Sequence, residues 1–229
     1  MEQRSIAIDG PAGAGKSTLA RRAAKHFGII YVDTGALYRC VGLFALRNNI
    51  SPRDEPDIVR LLPEIKIGMK YDGDGVQRML LGGEDVTEAI RMPAVSGYAS
   101  DVSAMPPVRE FLLSMQREMA VKYDVIMDGR DIGTVVLPDA GLKIFLTAEL
   151  EVRAKRRYLE LLDKNAGTTF EEVKRDISVR DKNDSERKAA PLKAAKGAVI
   201  LDTTCLDLDE SFNALCGLIT GRLAYEAKL

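Results

Sequence analysis

Short apolar runs alternate with amphipathic stretches along most of the chain. The apolar runs are bounded by turn residues and predict buried strands at 5–9, 29–32, 125–128, 143–146 and 199–201. Apolar residues at helical spacing predict helices at 17–27, 36–48, 94–104, 107–122, 149–163 and 207–226, and a Thr169–Glu172 capping box predicts the start of another. Strands that alternate with helices predict an α/β fold built on a central, mostly parallel sheet flanked by helices.

The segment between about 64 and 90 departs from this alternation. Residues 65–67 and 79–81 have strand character, and the Asp-Gly-Asp-Gly sequence at 72–75 between them is typical of a tight turn. We therefore expect a small antiparallel insertion in one domain. The predicted division is a core (about 1–63, 91–150 and 190–229), an insertion (about 64–90) and a short helical lid region (about 151–189).

Composition narrows the class of protein. Of the 229 residues, 46% are apolar and 29% are charged, which suits one soluble α/β domain. Lys and Arg number 33 against 34 Asp and Glu, so the chain lacks the basic excess expected of a nucleic-acid-binding protein. The apolar stretch near the N-terminus is too short for a signal peptide, and no run approaches the ~18 apolar residues of a membrane helix. We expect a cytoplasmic monomer that acts on small molecules.

Cys40, Cys205 and Cys216 do not form a Cys-x-x-Cys pair, and His26 is the one histidine. This set barely allows the four close ligands of a structural zinc site. We expect the cysteines to be reduced and mostly buried.

A phosphate-binding loop follows the first predicted strand. The sequence GPAGAGKS at 10–17 matches G-x-x-x-x-G-K-[ST] in full. In such a loop the backbone N–H groups and the start of a helix surround phosphate oxygens, the lysine contacts the β and γ phosphates, and the hydroxyl can bind Mg²⁺. The predicted ATP-binding residues are Gly10, Pro11, Ala12, Gly13, Ala14, Gly15, Lys16, Ser17 and Thr18.

The rest of the chain argues against two other classes that use this loop. Guanine-specific switches carry an [NT]-K-x-D motif, and no lysine here follows Asn or Thr. Motor and assembly ATPases usually have longer chains and take an arginine from a neighbouring subunit, whereas this short chain is rich in its own arginines.

A second acid is predicted to complete the metal site. Asp128 ends the apolar strand 125–128, as the acid of a Walker B strand does. A carboxylate at the carboxyl end of a neighbouring strand would hold Mg²⁺ together with Ser17, directly or through water.

Three further motifs appear in a fixed order after the loop. They are DTGALYR at 33–39, DGRDIGT at 128–134 and RDKNDSERKAAPL at 180–192. With the phosphate loop, these motifs closely resemble bacterial cytidylate kinases, and the resemblance extends over about residues 4–225. It implies a nucleoside monophosphate kinase fold and transfer of the γ-phosphoryl group of ATP to CMP or dCMP.

The resemblance also implies roles for individual residues. Arg39, Arg130 and Arg187 would bind the CMP phosphate; Ser100, Arg109 and Asp131 would recognise cytosine; Thr34 and Asp184 would contact the sugar. Lys16, Asp128, Arg130 and Arg187 would be the catalytic residues.

The chemistry of these residue types agrees with those roles. Cytosine presents an amino donor beside two acceptors, and a carboxylate next to an arginine complements that edge, whereas uracil would mismatch it. Arginines bind a phosphate dianion bidentately and keep their charge.

Arginines are also concentrated in the predicted lid. Arg153, Arg156 and Arg157 have the spacing of one helix face, and Arg180 and Arg187 follow. In a kinase such residues close over the transferred phosphoryl group and neutralise its charge. Arg157 is predicted to contact ATP.

Two alternatives remain open from the residues. A kinase with another small acceptor, such as UMP, AMP, shikimate or dephospho-coenzyme A, would use the same loop. A nucleotide-binding module without enzymatic activity would need no arginines for an acceptor.

Overall fold

The computed structural model describes residues 4–73, 75–163 and 167–226. Within this part, the strands are β1 (Ser5–Asp9), β2 (Ile30–Asp33), β3 (Ile67–Tyr71), β4 (Gln77–Leu81), β5 (Glu84–Asp85), β6 (Val125–Gly129), β7 (Leu142–Thr147) and β8 (Val199–Asp202). The helices are α1 (Lys16–Phe27), α2 (Thr34–Arg47), α3 (Glu55–Leu61), α4 (Pro93–Val102), α5 (Pro106–Lys122), α6 (Leu150–Asp163), α7 (Phe170–Glu186) and α8 (Leu208–Glu226).

Five of these strands form the central sheet, in the order β2-β6-β1-β7-β8, and every neighbouring pair is parallel. This confirms the predicted α/β class with a parallel sheet. Ile8 lies opposite Asp128 and Ile144, and Asp33 also lies opposite Asp128. The carboxyl ends of β1, β2 and β6 therefore meet at one edge of the sheet, where ligands bind in open α/β sheets.

Helices cover both faces of the sheet, which explains why β1 and β6 are buried along most of their length rather than alternating. In β1, Ile6, Ala7 and Ile8 are all buried. β8 lies at the edge, and its Val199 and Ile200 are exposed. The core of the central sheet is therefore centred on β1 and β6, next to the phosphate loop, and a separate buried cluster joins α2, α4 and α5 to the insertion.

The insertion is a three-stranded antiparallel sheet in the order β3-β4-β5. Two side chains tie it to β2: the Tyr71 hydroxyl donates to the Tyr31 carbonyl at 3.0 Å, and the Gln77 Oε1 accepts from the Asp33 N–H at 2.9 Å. These contacts fix the insertion beside the carboxyl edge of the central sheet.

The first strand of the insertion begins later than the sequence predicts. A 3₁₀ turn at Leu62–Glu64 carries the chain past Ile65, so the strand starts at Ile67. In the predicted turn at 72–75, the Gly75 N–H donates to the Asp72 carbonyl at 2.9 Å, and position 74 lies outside the described residues. The short strand β5 and helix α3 are absent from the prediction, since two residues and seven residues carry little periodic signal.

Helices α6 and α7 pack against each other and carry most of the predicted lid region. The predicted capping box is confirmed: the Glu172 N–H donates to the Thr169 hydroxyl, and the Thr169 N–H donates to the Glu172 carboxylate. Val173 and Ile177 of α7 pack with Ala154 of α6 and with Ala12 of the phosphate loop.

The cysteines are free, as predicted, but the expectation that they are mostly buried is wrong. Cys40 is buried in α2, Cys216 is half-buried in α8, and Cys205 is exposed because it lies in the turn between β8 and α8. No cluster of three or more histidine, cysteine or acidic side chains suited to a metal occurs among the described residues. Across the same ranges, no helix is both long and apolar enough to span a membrane.

Candidate active site

The phosphate loop occupies the turn between β1 and α1. Gly10 has a φ of 151°, and a Cβ there would lie 1.9 Å from the Leu146 carbonyl oxygen, so only glycine fits against β7. Lys16 opens α1 and is 6% exposed, with its ammonium donating to the Pro11 carbonyl at 2.7 Å. Burial and then the nearby Arg130 charge hold the pKa of Lys16 well below its usual value. The loop therefore places a constrained cation beside its own backbone N–H groups.

The predicted metal-binding pair is in contact. The Ser17 hydroxyl donates to Asp128 Oδ2 at 2.8 Å, and the Tyr31 hydroxyl donates to Oδ1 at 2.8 Å. Burial, followed by the charge of Asp33, raises the pKa of Asp128. A carboxylate and a hydroxyl oxygen suit Mg²⁺, which takes few protein ligands and keeps waters and phosphate oxygens. This donor set therefore fits Mg²⁺.

A cleft of about 1740 Å³ opens in front of the loop. It runs between the central sheet, the insertion and helices α6 and α7, and its lining includes Lys16, Arg39, Ser100, Arg130 and Arg157. This volume can hold two nucleotide-sized ligands, because single ligand pockets measure ~300–1,000 Å³.

One wall of the cleft carries an arginine cluster around a single carboxylate. Arg130 Nε donates to Asp184 Oδ2 at 2.7 Å, and an Arg187 nitrogen lies 3.8 Å from Asp184 Oδ1. Arg180 is half-buried beside them, and its buried Nε has no hydrogen-bond partner in the described part of the chain. Burial and then the Arg130 charge lower the pKa of Arg180 to about 10. Three arginines thus surround one carboxylate, and the Arg180 Nε still lacks an acceptor. An anionic ligand would balance the excess positive charge and accept from this donor.

The Asp184 carboxylate is the counter-charge in this cluster. Burial alone would raise its pKa, but the charges of Arg130 and Arg180 and the hydrogen bond from Arg130 outweigh it, so the pKa lies below its ordinary value. Asp184 is therefore ionised at neutral pH and aligns the arginine side chains.

A second buried pair lies next to this cluster. Asp131 accepts hydrogen bonds from Arg109 and from Arg187, the latter at 3.1 Å. Arg109 also donates to the Ser103 carbonyl at 3.1 Å and lies over the Tyr38 ring. The structure thus brings together Arg109, Asp131 and Arg187, three residues that are far apart in the sequence.

Other predicted residues have different surroundings. The Thr34 hydroxyl is buried and donates to the Asp128 carbonyl at 2.8 Å, so it supports the end of β6. Arg39 faces the cleft, with a nitrogen 3.9 Å from Asp33 Oδ2. Ser100 also faces the cleft from α4. Their predicted contacts with the acceptor remain predictions.

The three arginines of α6 bind different partners. Arg153 donates to the carbonyls of Ala12 and Ala148 and pairs with Asp181, so it holds the phosphate loop rather than pointing into open space. Arg156 donates to the Thr203 and Leu206 carbonyls.

Arg157 reaches the cleft while pairing with Glu160 at 2.8 Å, and its contact with ATP stays a prediction. Helical spacing predicts one common direction for the three arginines, but Arg153 and Arg156 bind partners on other elements, and Arg157 pairs within α6.

Sequence reasoning missed two charged residues near the site. Asp9 ends β1 and accepts hydrogen bonds from two backbone N–H groups of the 130–136 segment, and its position at a strand end just before the loop was a usable signal. Arg91 lies at the cleft with a nitrogen 3.8 Å from Asp33 Oδ2, and no local pattern marks it.

Comparison with known proteins identifies this arrangement. The family model described as cytidylate kinase matches residues 6–220. The chain belongs to the cytidylate kinase family. The cytidylate kinase of Caldicellulosiruptor bescii is 54% identical over 210 residues, which cover 92% of each chain. That of Carboxydothermus hydrogenoformans is 50% identical over 214 residues, covering 93% of this chain and 96% of the relative.

A solved structure supports the fold independently. An uncharacterised protein from Eubacterium ventriosum superposes with a TM-score of 0.54 at 13% identity, covering 95% of this chain and 99% of that one. At this identity the likeness concerns the fold alone. Family membership makes the protein an enzyme of the cytidylate kinase type, a nucleoside monophosphate kinase.

Proposed function

We propose that the protein transfers the γ-phosphoryl group of ATP, with Mg²⁺, to the phosphate of CMP and dCMP, giving CDP and dCDP. The observation that carries the proposal is the cluster of Arg130, Arg180 and Arg187 around Asp184, in the same region of the fold as Lys16. A switch or a passive nucleotide-binding module has no use for a second anion site beside its phosphate loop. A kinase whose acceptor is itself a phosphate requires one.

The donor side of the cleft suits ATP. The backbone of 10–18 would surround the phosphates, Lys16 would follow the transferred group, and Arg157 would reach the nucleotide from α6. Ser17 and Asp128 would hold Mg²⁺, whose role when bound is to neutralise charge on the β and γ phosphate oxygens.

The acceptor side would bind the monophosphate through Arg39, Arg130 and Arg187. Arginine suits this task because its charge persists at every physiological pH and its planar fork matches two phosphate oxygens. Since Arg187 is held by Asp131 and by the Ala190 carbonyl at 2.7 Å, its direction is set before the substrate arrives. Asp184 would contact the sugar while orienting Arg130.

Base choice would rest on Asp131 with Arg109, assisted by Ser100. A carboxylate accepts from the cytosine amino group, and the arginine donates to the ring acceptors. UMP would leave these buried groups unpaired, and unpaired buried groups give strong discrimination. Thr34 would support the sugar side from the end of β6.

The reaction would need no general base, because the attacking atom is a phosphate oxygen that is already ionised. Catalysis would therefore consist of alignment and charge neutralisation by Lys16, Arg130 and Arg187, with Asp128 on the metal. We propose that α6 and α7 form a lid over ATP and that the β3–β5 insertion encloses the acceptor, in one domain. Closure of the lid would exclude water, which otherwise hydrolyses ATP.

Three further points belong to the proposal. The enzyme would work in the cytoplasm as a monomer. Its partners would be small molecules rather than nucleic acid or membrane, which is supported by the near-neutral charge balance of 33 basic against 34 acidic residues.

An acceptor panel tests the proposal. The purified protein is incubated with MgATP and CMP, dCMP, UMP or AMP, and ADP formation is measured with and without each acceptor. We expect rapid ADP release with CMP and dCMP, slow release with UMP and little with AMP. ADP formation that is independent of acceptor would contradict a kinase role, and a preference for UMP or AMP would contradict the assigned acceptor.

A further inference from the structure

Asp9 is a buried carboxylate that the proposed reaction does not use. It ends β1 and is 3% exposed. Its Oδ1 accepts from the Ile132 N–H at 2.7 Å, and its Oδ2 accepts from the Gly133 N–H at 2.8 Å. Asp9 does not line the cleft, so it lies behind the substrates rather than against them.

The segment that Asp9 holds begins with the acceptor residues. Arg130 and Asp131 directly precede the two N–H groups that the carboxylate binds, in a single turn that continues through Ile132–Val136. Gly133 is adjacent to the carboxylate, since a Cβ there would be in van der Waals contact with Asp9 Oδ2 at 3.4 Å. The backbone positions of Arg130 and Asp131 thus depend on a tie to the strand that also leads into the phosphate loop.

The chemistry of the tie requires a carboxylate. Two successive N–H groups point at one side chain, so both of its terminal atoms must be acceptors, and ionised Asp offers two. Asn offers one acceptor and one NH₂ group, which would face an N–H of the segment. The nearby charges are Asp131, which repels the carboxylate, and Lys16, which attracts it.

We infer that Asp9 is a positioning residue for phosphoryl transfer: through the Ile132 and Gly133 N–H groups it fixes Arg130 and Asp131 relative to the phosphate loop. This inference rests on the proposed function, since it takes Arg130 and Asp131 to bind the acceptor. It joins the donor and acceptor halves of the site through one side chain, because β1 carries the loop at its end.

The test compares Asp9→Asn with Leu215→Ala. Leu215 of α8 is buried in the cluster that includes Ile6 and Ile8, whereas the segment's Ile132 and Val136 belong to a different cluster, so its truncation lowers stability without touching the segment. For Asp9→Asn we expect kcat/KM for CMP to fall by about 10- to 100-fold, as for a lost hydrogen bond to a charged group, while the dissociation constant for ATP changes little. Leu215→Ala should lower Tm with little change in either quantity.

A double-mutant cycle separates positioning from mere structural support. If Asp9 acts through Arg130, then Asp9→Asn in an Arg130→Met background should lose much less additional kcat/KM than in the wild type. Fully additive losses, or equal losses in ATP affinity and in CMP use, would overturn the inference.

A second variant and a second acceptor cover the two cases in which this test alone would fail. If Asp9→Asn does not fold, Gly133→Ala keeps the carboxylate and crowds the segment, because its Cβ would lie 3.2 Å from the Ala195 Cβ. A smaller loss of the same acceptor-selective kind is expected. If the wild type prefers another monophosphate, the proposed function fails in the wild type itself. The cycle is then run with that acceptor, and additive losses there would overturn the positioning role.

Discussion

Arg153→Met removes the side chain that holds the phosphate loop to helix α6. Arg153 Nη1 donates to the Ala12 carbonyl at 2.8 Å and pairs with Asp181, while Nε donates to the Ala148 carbonyl at 2.7 Å. Asp181, on α7, accepts from the Ala12 N–H at 2.9 Å. Ala12 of the loop is thus held by both α6 and α7, through its carbonyl and its N–H.

The expected loss of stability follows from burial. The Arg153 and Asp181 side chains are 9% and 19% exposed, so this is a nearly buried pair. Removing one partner of a buried pair costs about 3–5 kcal/mol, and partial access of water to Asp181 reduces this to about 2–4 kcal/mol. For a chain of this size Tm should fall by about 5–15 °C. Because the loop is loosened, kcat/KM for ATP should fall by about tenfold or more.

Denaturant unfolding and steady-state kinetics with varied ATP check these values. Arg47→Met is the control, because Arg47 forms two hydrogen bonds to Glu84 at 2.7 and 2.8 Å on an exposed surface, where ion pairs contribute little. Arg153→Met combined with Asp181→Asn should cost less than the sum of the single changes. The reasoning would be refuted if Arg153→Met lost no more stability than Arg47→Met and left the KM for ATP unchanged.

Further changes test the remaining roles. Lys16→Ala should reduce turnover by orders of magnitude in a folded protein, and near-normal kcat would contradict its role at the transferred phosphoryl group. Arg130→Met should raise the KM for CMP far more than the dissociation constant for ATP, with the reverse pattern placing it on the donor side. Asp131→Ala should lower kcat/KM for CMP by a factor that corresponds to about 1–3 kcal/mol and should bring the kcat/KM values for CMP and UMP closer together. An unchanged ratio of the two values would contradict a role of Asp131 in base choice. Burial, opposed by the two backbone N–H groups, raises the pKa of Asp9 from 3.8 to about 6, so the folded state binds the proton more tightly than the unfolded state. As pH rises from about 4 through about 6, the wild type should lose up to about 3 kcal/mol of unfolding free energy relative to Asp9→Asn, and identical pH profiles would contradict this.

The sequence by itself determined those features that depend only on residues close together in the chain, namely the secondary structure elements and the phosphate loop. The strand at Ser5–Asp9, the glycine-rich turn after it and the helix from Lys16 follow one another directly, so one segment carries the whole phosphate loop. Apolar runs predicted the five parallel strands, most clearly β1 and β6, which are buried on both faces and therefore apolar along most of their length. The ordered motifs predicted the family, which the comparisons confirm, and a set of acceptor-binding residues that remains a prediction.

Only the tertiary structure decided which charged groups meet. Asp9 binds the Gly133 N–H across 124 positions, and Arg153 binds the Ala12 carbonyl across 141. Helical spacing predicted that Arg153, Arg156 and Arg157 share a face, but it could not predict which groups each of them binds. Periodicity specifies which side of an element is buried, whereas an ion pair depends on the relative placement of elements that only the packed core fixes.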